Sequence, residues 1–219
     1  MLGLLLASTL VATTGRATLA PGTYTYNATM TGAKIGTSVL TVQSINGRTV
    51  IAERASGDYG GNGASATATL TLDADLAPLS YALSGTTNGS SVQDSAKIVN
   101  ATADVVNVHG QNQAFDLLAS TKHFVIIDLG AFAGFFPLPA QMRAWNDDAV
   151  LAVVPSIGLT AALVPSIATP PSRPPTVPAG DQSLTFDGQA PFTIWYDPAT
   201  NVPDEIDVTA QGVVVTRQR

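Results

Sequence analysis

From Thr23 onward the chain alternates. Thr23 to Thr31 reads Thr-Tyr-Thr-Tyr-Asn-Ala-Thr-Met-Thr, period two throughout, and that period places every second side chain on one face of an extended strand. Ile35 to Val42, anchored by Ile35, Val39 and Val42, alternates again after a short turn at Gly32-Ala33-Lys34. Asn46-Gly47 is a strong hairpin signal, and Thr49 to Ala55 is the return strand. Asp58 to Gly63 reads as a glycine-rich loop. Ser65 to Leu72 then sets Ala66, Ala68, Leu70 and Leu72 on one face. Leu79 to Ser84 and Val92 to Val99 flank Asn88-Gly89, and Thr102 to Val108 and Ala114 to Leu118 follow. Strands joined by such short turns constrain this part of the chain to an antiparallel meander.

The pattern breaks after Val125-Ile126-Ile127. Phe132 to Trp145 loses the alternation and carries Phe132, Phe135, Phe136, Leu138, Met142 and Trp145. Pro137 and Pro139 forbid a regular helix through its middle, but Pro139 suits the start of a helical turn running to Trp145. Val150 to Val154 and Leu159 to Val164 resume strand character. Six prolines between Pro165 and Pro178 form an extended connection. It reads as a long loop within one domain, because the residues that follow are too few for a fold of their own. Thr193 to Tyr196, Ile206 to Thr209 and Val213 to Arg217 supply the closing strands.

Charged residues make up 12% of the chain and hydrophobic ones 45%, a balance that argues against general disorder. Leu2 to Ala12 is a short apolar core, and Ala17-Thr18-Leu19-Ala20 ends it with small residues, as a secretory signal does. Residues 1–20 are therefore expected to be a signal peptide, with a single β-rich domain over 21–219. No Lys or Arg precedes the apolar core, so a buried N-terminal strand or helix is the competing reading. Export to the periplasm or outside the cell is the expected destination. Without the leader, nine Lys and Arg face sixteen Asp and Glu. An acidic surface repels phosphate backbones, so nucleic acid is excluded as a partner. The apolar run is too short for a transmembrane span, and a closed outer-membrane barrel is disfavoured by the absence of aromatic girdles. The chain has no cysteine, which removes disulfides, thiolate metal sites, cysteine nucleophiles and a lipobox together.

Three stretches carry a family resemblance. Tyr24-Thr25-Tyr26 with Gly32-Ala33-Lys34-Ile35-Gly36 resembles the first hairpin of uncharacterised secreted bacterial β-rich proteins. Pro78-Leu79-Ser80-Tyr81 resembles their middle strand. Phe192-Thr193-Ile194-Trp195-Tyr196-Asp197-Pro198 with Val202-Pro203 resembles their last hairpin. Those families are similar to the periplasmic lipoprotein carriers. The resemblance implies a mainly β fold: a curved antiparallel sheet, a half-barrel or open barrel. The proline-rich insert and the Phe135-Phe136 segment depart from the family pattern, and it is the chain's own apolar residues that make Phe132 to Trp145 a short helical, apolar cover. It brings no catalytic residue with it.

Asp128-Leu129-Gly130-Ala131 after an apolar strand looks like the turn that presents an aspartic protease carboxylate. Leu129 stands where that motif has Thr or Ser, and no second copy exists to share a proton. Asp128 and Gly130 are better read as a strand terminator. His109 and His123 lack zinc-site spacing, and Ser156 lacks the glycines of a nucleophile elbow. Asp73, Asp75, Asp147 and Asp148 match no calcium loop. Asp204, Glu205 and Asp207 read as a solvated hairpin edge. Asn27, Asn88 and Asn100 begin sequons that Thr-rich sequence produces by chance.

The expectation is a non-enzymatic protein without metal or other cofactor. In the leading reading it holds an apolar ligand, such as a lipid or acyl chain, against the cover residues Phe132, Phe135, Phe136, Leu138, Met142 and Trp145. The alternative is a structural or protein-interaction domain whose core those residues fill, with a protein partner at the sheet edges. A hydrolase ranks third.

Overall fold

The alternating segments form one sheet. The computed structural model describes residues 18–59, 62–99, 102–107, 110–116, 123–128, 130–168, 171–188 and 191–219. The first eight strands are β1 (Gly22–Met30), β2 (Ala33–Ile45), β3 (Arg48–Tyr59), β4 (Asn62–Leu72), β5 (Pro78–Thr87), β6 (Ser90–Val99), β7 (Thr102–Val106) and β8 (Asn112–Asp116). Each pairs with its predecessor. The chain re-enters the sheet at β9 (Phe124–Ile126) and crosses helix α1 (Leu138–Trp145). It then runs through β10 (Val150–Val154), β11 (Leu159–Pro165), β12 (Gln182–Asp187), β13 (Phe192–Tyr196), β14 (Pro203–Val208) and β15 (Val213–Arg217). β15 lies beside β1, so the fifteen strands follow the order β8 to β1, then β15 down to β9. The sheet is curved and open, with β8 and β9 as its edges. Among the described residues all strand pairings are antiparallel except β9 with β10, which is parallel.

Turn chemistry sets the registers. Thr31-Gly32, Asn46-Gly47 and Asn88-Gly89 each hold two consecutive residues at positive φ, the geometry whose twist matches paired strands. The first of these turns falls earlier than the Gly32-Ala33-Lys34 reading, because Ala33 already pairs with Met30. The glycine-rich stretch at Asp58 to Gly63 is largely strand: Asp58 pairs with Gly63 in the β3–β4 ladder. β12 escaped the sequence reading, since Ser183-Leu184-Thr185-Phe186 is short and follows the proline-rich connection.

Curvature has a local cause. The β1–β2 ladder carries a bulge beyond Ala28, so that Ile35 is an extra residue and Ala28 pairs with Gly36; a bulge bends the strand that carries it. Beside it the strands approach so closely that a Cβ on Gly57 would stand 2.3 Å from the Ile35 carbonyl oxygen. One on Gly85 would stand 2.1 Å from that of Ser65. Glycine permits this coiling where any side chain would push the strands apart.

Residues 132–145 lie against the concave face. Phe136 is fully buried and meets Tyr24 at 5.5 Å and Tyr26 edge-on at 6.1 Å between ring centroids. Phe135 meets Phe192 edge-on at 5.2 Å. The helix starts one residue before Pro139, and Asn146 ends it in the left-handed region with its amide bonded to the Met142 carbonyl. Gln141 Nε2 donates to the Leu76 carbonyl and Trp145 Nε1 to that of Asp75. Arg143 donates to the Pro198 carbonyl and to Asn201 Oδ1. The helix thus straps the β4–β5 turn to the β13–β14 turn, closing the end of the sheet where β1 begins. Among the described residues no α-helix closes the opposite end, where β1 finishes at Met30, and a cleft lies there.

A candidate ligand cleft at the open end of the sheet

The inward positions of β2 to β5 form registered rows. Leu40, Glu53, Ala68 and Leu83 make one row, and Ser38, Ala55, Ala66 and Gly85 the next toward the open end. Gly36, Gly57, Ala64 and Thr87 make the last. Volume falls along this series from leucine to glycine. The result is a cleft of about 340 Å³ whose inward side chains include Ala28, Met30, Ala55, Ala64, Ala66, Val213 and Phe132. None of the described residues lining it is charged. Thr87 and Gln211, both exposed, stand among its lining and supply polar groups.

The six cover residues divide at this point. Phe136 and Leu138 are completely buried, Phe135, Met142 and Trp145 nearly so, and all five belong to the main core. Phe132 is half-buried and is the one member of the 132–145 segment that lines the cleft. Its position is fixed through its backbone. Phe132 opens a helical turn in which its carbonyl accepts from the Phe135 and Phe136 amides at 3.0 and 3.1 Å. The free amides at the start of that turn are met by a carboxylate. Glu53, 1% exposed, accepts from the Ala133 amide at 2.7 Å and from the Ser38 hydroxyl at 2.7 Å, and from the Phe132 amide. Burial pushes the Glu53 carboxyl up, while these three hydrogen bonds oppose the rise.

Sequence reading missed Glu53. The available signal was parity: Glu53 shares its face with Ile51, a core position, and an acid on that face calls for donors. The same parity flags Asp94 beside Ala96. Both carboxylates, with Asp128, surround the buried Tyr81. Burial first, then the Asp128 carboxylate, drives the Tyr81 phenol far above its ordinary range. Asp128 itself is 1% exposed and bridges to Ala131 around the turn, which fits its reading as a strand terminator; Leu129 lies outside the described residues.

The other candidates serve the fold. His123 Nδ1 lies 2.5 Å from Asp147 Oδ2, and its ring stacks on Trp145 at 4.6 Å. His109 and Asn100 lie outside the described residues. Asp73 Oδ1 accepts from the Asp75 and Ala77 amides and braces the β4–β5 turn. Asn27 accepts from Gln218, and Ser156 sits in a short 3₁₀ turn between β10 and β11. Among the described residues, no group of three or more His, Asp and Glu is placed to hold a metal ion.

Asp204 and Glu205 are not a solvated edge: they are 3% and 4% exposed. Asp204 pairs with Arg217 at 3.4 Å and Arg219 at 2.9 Å. Glu205 Oε2 accepts from Thr216 and from Thr176 of the proline-rich connection, which lies over this outer face. Asp181, at the end of that connection, is driven up to about 7, first by burial and then by its hydrogen bond and charge contact with Asp204. Residues 18–20 are also docked. Asn201 Nδ2 donates to the Thr18 carbonyl, the Ala20 amide donates to that of Thr200, and Leu19 is buried in the core.

No family model matches the sequence, and no curated protein matches it. The fold has solved neighbours. A β-barrel-like protein of a domain of unknown function, DUF1849, from Brucella abortus superposes with a TM-score of 0.54 at 10% identity, over 91% of this chain and 95% of its own. A DUF1089 family protein from Pseudomonas aeruginosa gives a TM-score of 0.37 at 12% identity, over 81% of this chain and 86% of its own. At such identity the first likeness speaks for the fold alone: a large curved β-barrel-like sheet, of a kind found in uncharacterised bacterial β-rich proteins. No helix among the described residues is long and apolar enough to cross a membrane.

Proposed function

We propose that this chain is an exported, non-catalytic binding protein that holds an unbranched apolar chain, such as an acyl chain or lipid tail, in the cleft beside Phe132. The observation that carries the reading is the cleft's lining: alanine, glycine, methionine, isoleucine, valine and phenylalanine make up most of it, with Thr37, Ser56, Ser65, Thr87 and Gln211 as its polar members and no charged residue among those described. Its volume lies near the low end of the ~300–1,000 Å³ typical of small-molecule sites. At roughly 30 Å³ per water-sized group it has room for about eleven heavy atoms. Methylenes need no polar partner, and Ser38 and Glu53 of the inward rows are already engaged with each other and with the Phe132 turn; a polar head group would rest at the mouth near Thr87 and Gln211. Export rests on the apolar run from Leu2 to Ala12. A cut after Ala20 would strip Leu19 from the core, whereas a cut before Thr18 would leave it in place.

A second reading is favoured by a specific observation. Five of the six cover residues are consumed by the core, as a structural or protein-interaction domain with a filled interior requires. Isothermal titration with decanoic acid, whose ten carbons match the room in the cleft, separates the two. Saturable binding at one site, with lipid retained in native mass spectra of detergent-free protein, is the expected result. Unsaturable, non-specific partition with no retained lipid would leave the filled-core reading.

A further inference from the structure

We infer that Phe132 is the end wall that sets the length of chain the cleft accepts, and that Glu53 is the positioning residue that holds this wall in register with the sheet. The assignment rests on the ligand reading above. Phe132 alone among the cover residues reaches the cleft, and behind it Phe135 and Phe136 are close-packed. A chain entering at the open end therefore stops at the Phe132 ring. The ring's location depends on where its turn begins, and that point is pinned by Glu53.

The pinning is specific. Glu53 pairs with Leu40 on one side and Ala68 on the other, one inward row deeper than Ala55 and Ala66 of the cleft. Its carboxyl thus stands just beyond the cleft, within hydrogen-bond reach of the two amides that open the Phe132 turn. Amides at the start of a helical turn have no partner within the turn, and an anionic acceptor suits them. Ser38, on β2, bonds the other carboxyl oxygen, so the turn is tied to two neighbouring strands. Leu40 and Leu83 of the same row show that an apolar side chain fits this layer. A buried carboxyl is costly unless its lone pairs are used. Its presence here is accounted for by the placement it gives the turn.

The test measures, by isothermal titration, the affinity of saturated fatty acids of increasing length. Phe132→Ala is expected to move the preferred length upward by about three to four carbons, the room a phenyl ring leaves at roughly 30 Å³ per group. Glu53→Gln keeps the size but loses an acceptor. It is expected to flatten the length profile and to speed hydrogen exchange at the Phe132 and Ala133 amides at least tenfold. Ser38→Ala, a milder change, is expected to shift both readouts in the same direction and serves if Glu53→Gln does not fold. An unmoved optimum in Phe132→Ala, with binding merely weaker, overturns the assignment and leaves the ligand reading standing. An unchanged profile and unchanged exchange in the Glu53 and Ser38 variants overturn the positioning role. Failure of every chain length to bind the wild type overturns the ligand reading and this assignment together.

Discussion

The two ends of the sheet are built from the same strands and differ in almost every physical respect. β1 begins with Tyr24 and Tyr26 and finishes with Ala28 and Met30; its neighbour β15 runs from Val213 at the open end to Arg217 at the capped one. At the capped end the Tyr26 hydroxyl donates to the Pro203 carbonyl, Arg217 lies over the Tyr24 ring at 4.9 Å, and Asp204 gathers Arg217 and Arg219. Helix α1 closes what remains. At the open end the matching layers hold Gly36, Gly57, Ala64 and Ala66. Protein interiors are close-packed, so space survives only where neither wall supplies side-chain volume. Along one set of strands, a change from tyrosine and leucine to alanine and glycine turns a core into a cleft.

The comparison breaks most readily at the phenylalanines. Phe136→Ala, in the packed layer between Tyr24 and Tyr26, should cost about 3–5 kcal/mol of unfolding free energy, as large truncations in close-packed cores do. Phe132→Ala, beside existing space, should cost about 1 kcal/mol, since its ring is already half-solvated and leaves no new enclosed cavity. Urea denaturation of both variants measures the difference. Equal losses would mean that the open end is packed like the capped one.

A second break tests curvature. Gly57→Ala places a methyl carbon against the Ile35 carbonyl oxygen, and relieving that contact means spreading β2 from β3. The expected cost is about 1–3 kcal/mol, the range for overpacking. Gly63→Ala is the control: a Cβ there meets nothing within 4 Å, so its effect should stay within about 0.5 kcal/mol. Comparable melting points for the two variants would remove close strand approach as the cause of the bend.

The capped end carries a pH signature that the uncharged cleft lacks. Asp181 is raised from its ordinary 3.8 to about 7 by burial, by its hydrogen bond to Asp204 and by the charges of Asp204 and Asp197, against the pull of Arg219. The folded chain therefore keeps a proton that the unfolded chain releases above about pH 4. Stability from this group is present at low pH and declines as pH rises through the interval between 3.8 and about 7. Asp181→Asn keeps a donor toward Asp204 without the charge. It should flatten that part of the profile and gain about 0.5–1 kcal/mol at pH 8, an amount discounted for the solvent exposure of Asp181. Glu53 is shifted in the same direction and leaves a residual slope in the variant. Identical chemical-denaturation profiles for wild type and Asp181→Asn from pH 4 to pH 8 would show that the Asp181–Asp204 pair is not held in the folded state.

Strand identity was legible because it is local. Asn46-Gly47 and Asn88-Gly89 turn as written, and the helix occupies the stretch that Pro139 and Trp145 bracket. The cleft was not legible because it is a property of registers. Gly36, Gly57 and Ala64 lie far apart in the chain, and only the β2–β3 and β3–β4 ladders bring them into one row. Glu53 and Asp204 were half-legible. Each is an acid in a strand, but whether such an acid faces water or the interior depends on partners, Ala133 for one and Arg219 for the other, that local patterns do not reveal. The six cover residues were found as a group, yet their division into core and cleft wall follows from where the sheet runs out of bulk.

The smallest expected change in stability is the sharpest test of the open end. Ala64 lies between Gly57 and Thr87 in the last inward row, lines the cleft and is half-buried. Ala64→Leu adds three carbons into existing space without displacing a neighbour. Stability should therefore stay within about 0.5 kcal/mol of wild type, any strain being offset by the apolar surface the new side chain buries. Binding should respond far more. The added side chain occupies roughly a quarter of the cleft at ~30 Å³ per carbon, and decanoic acid should bind at least ~10-fold more weakly, a loss of about 1.4 kcal/mol or more. The capped end supplies the control, because Arg219→Gln removes one partner of Asp204 and should leave the affinity unchanged. If Ala64→Leu melts like wild type and still binds the probe with full affinity, the ligand sits elsewhere and the contrast between the two ends concerns packing alone.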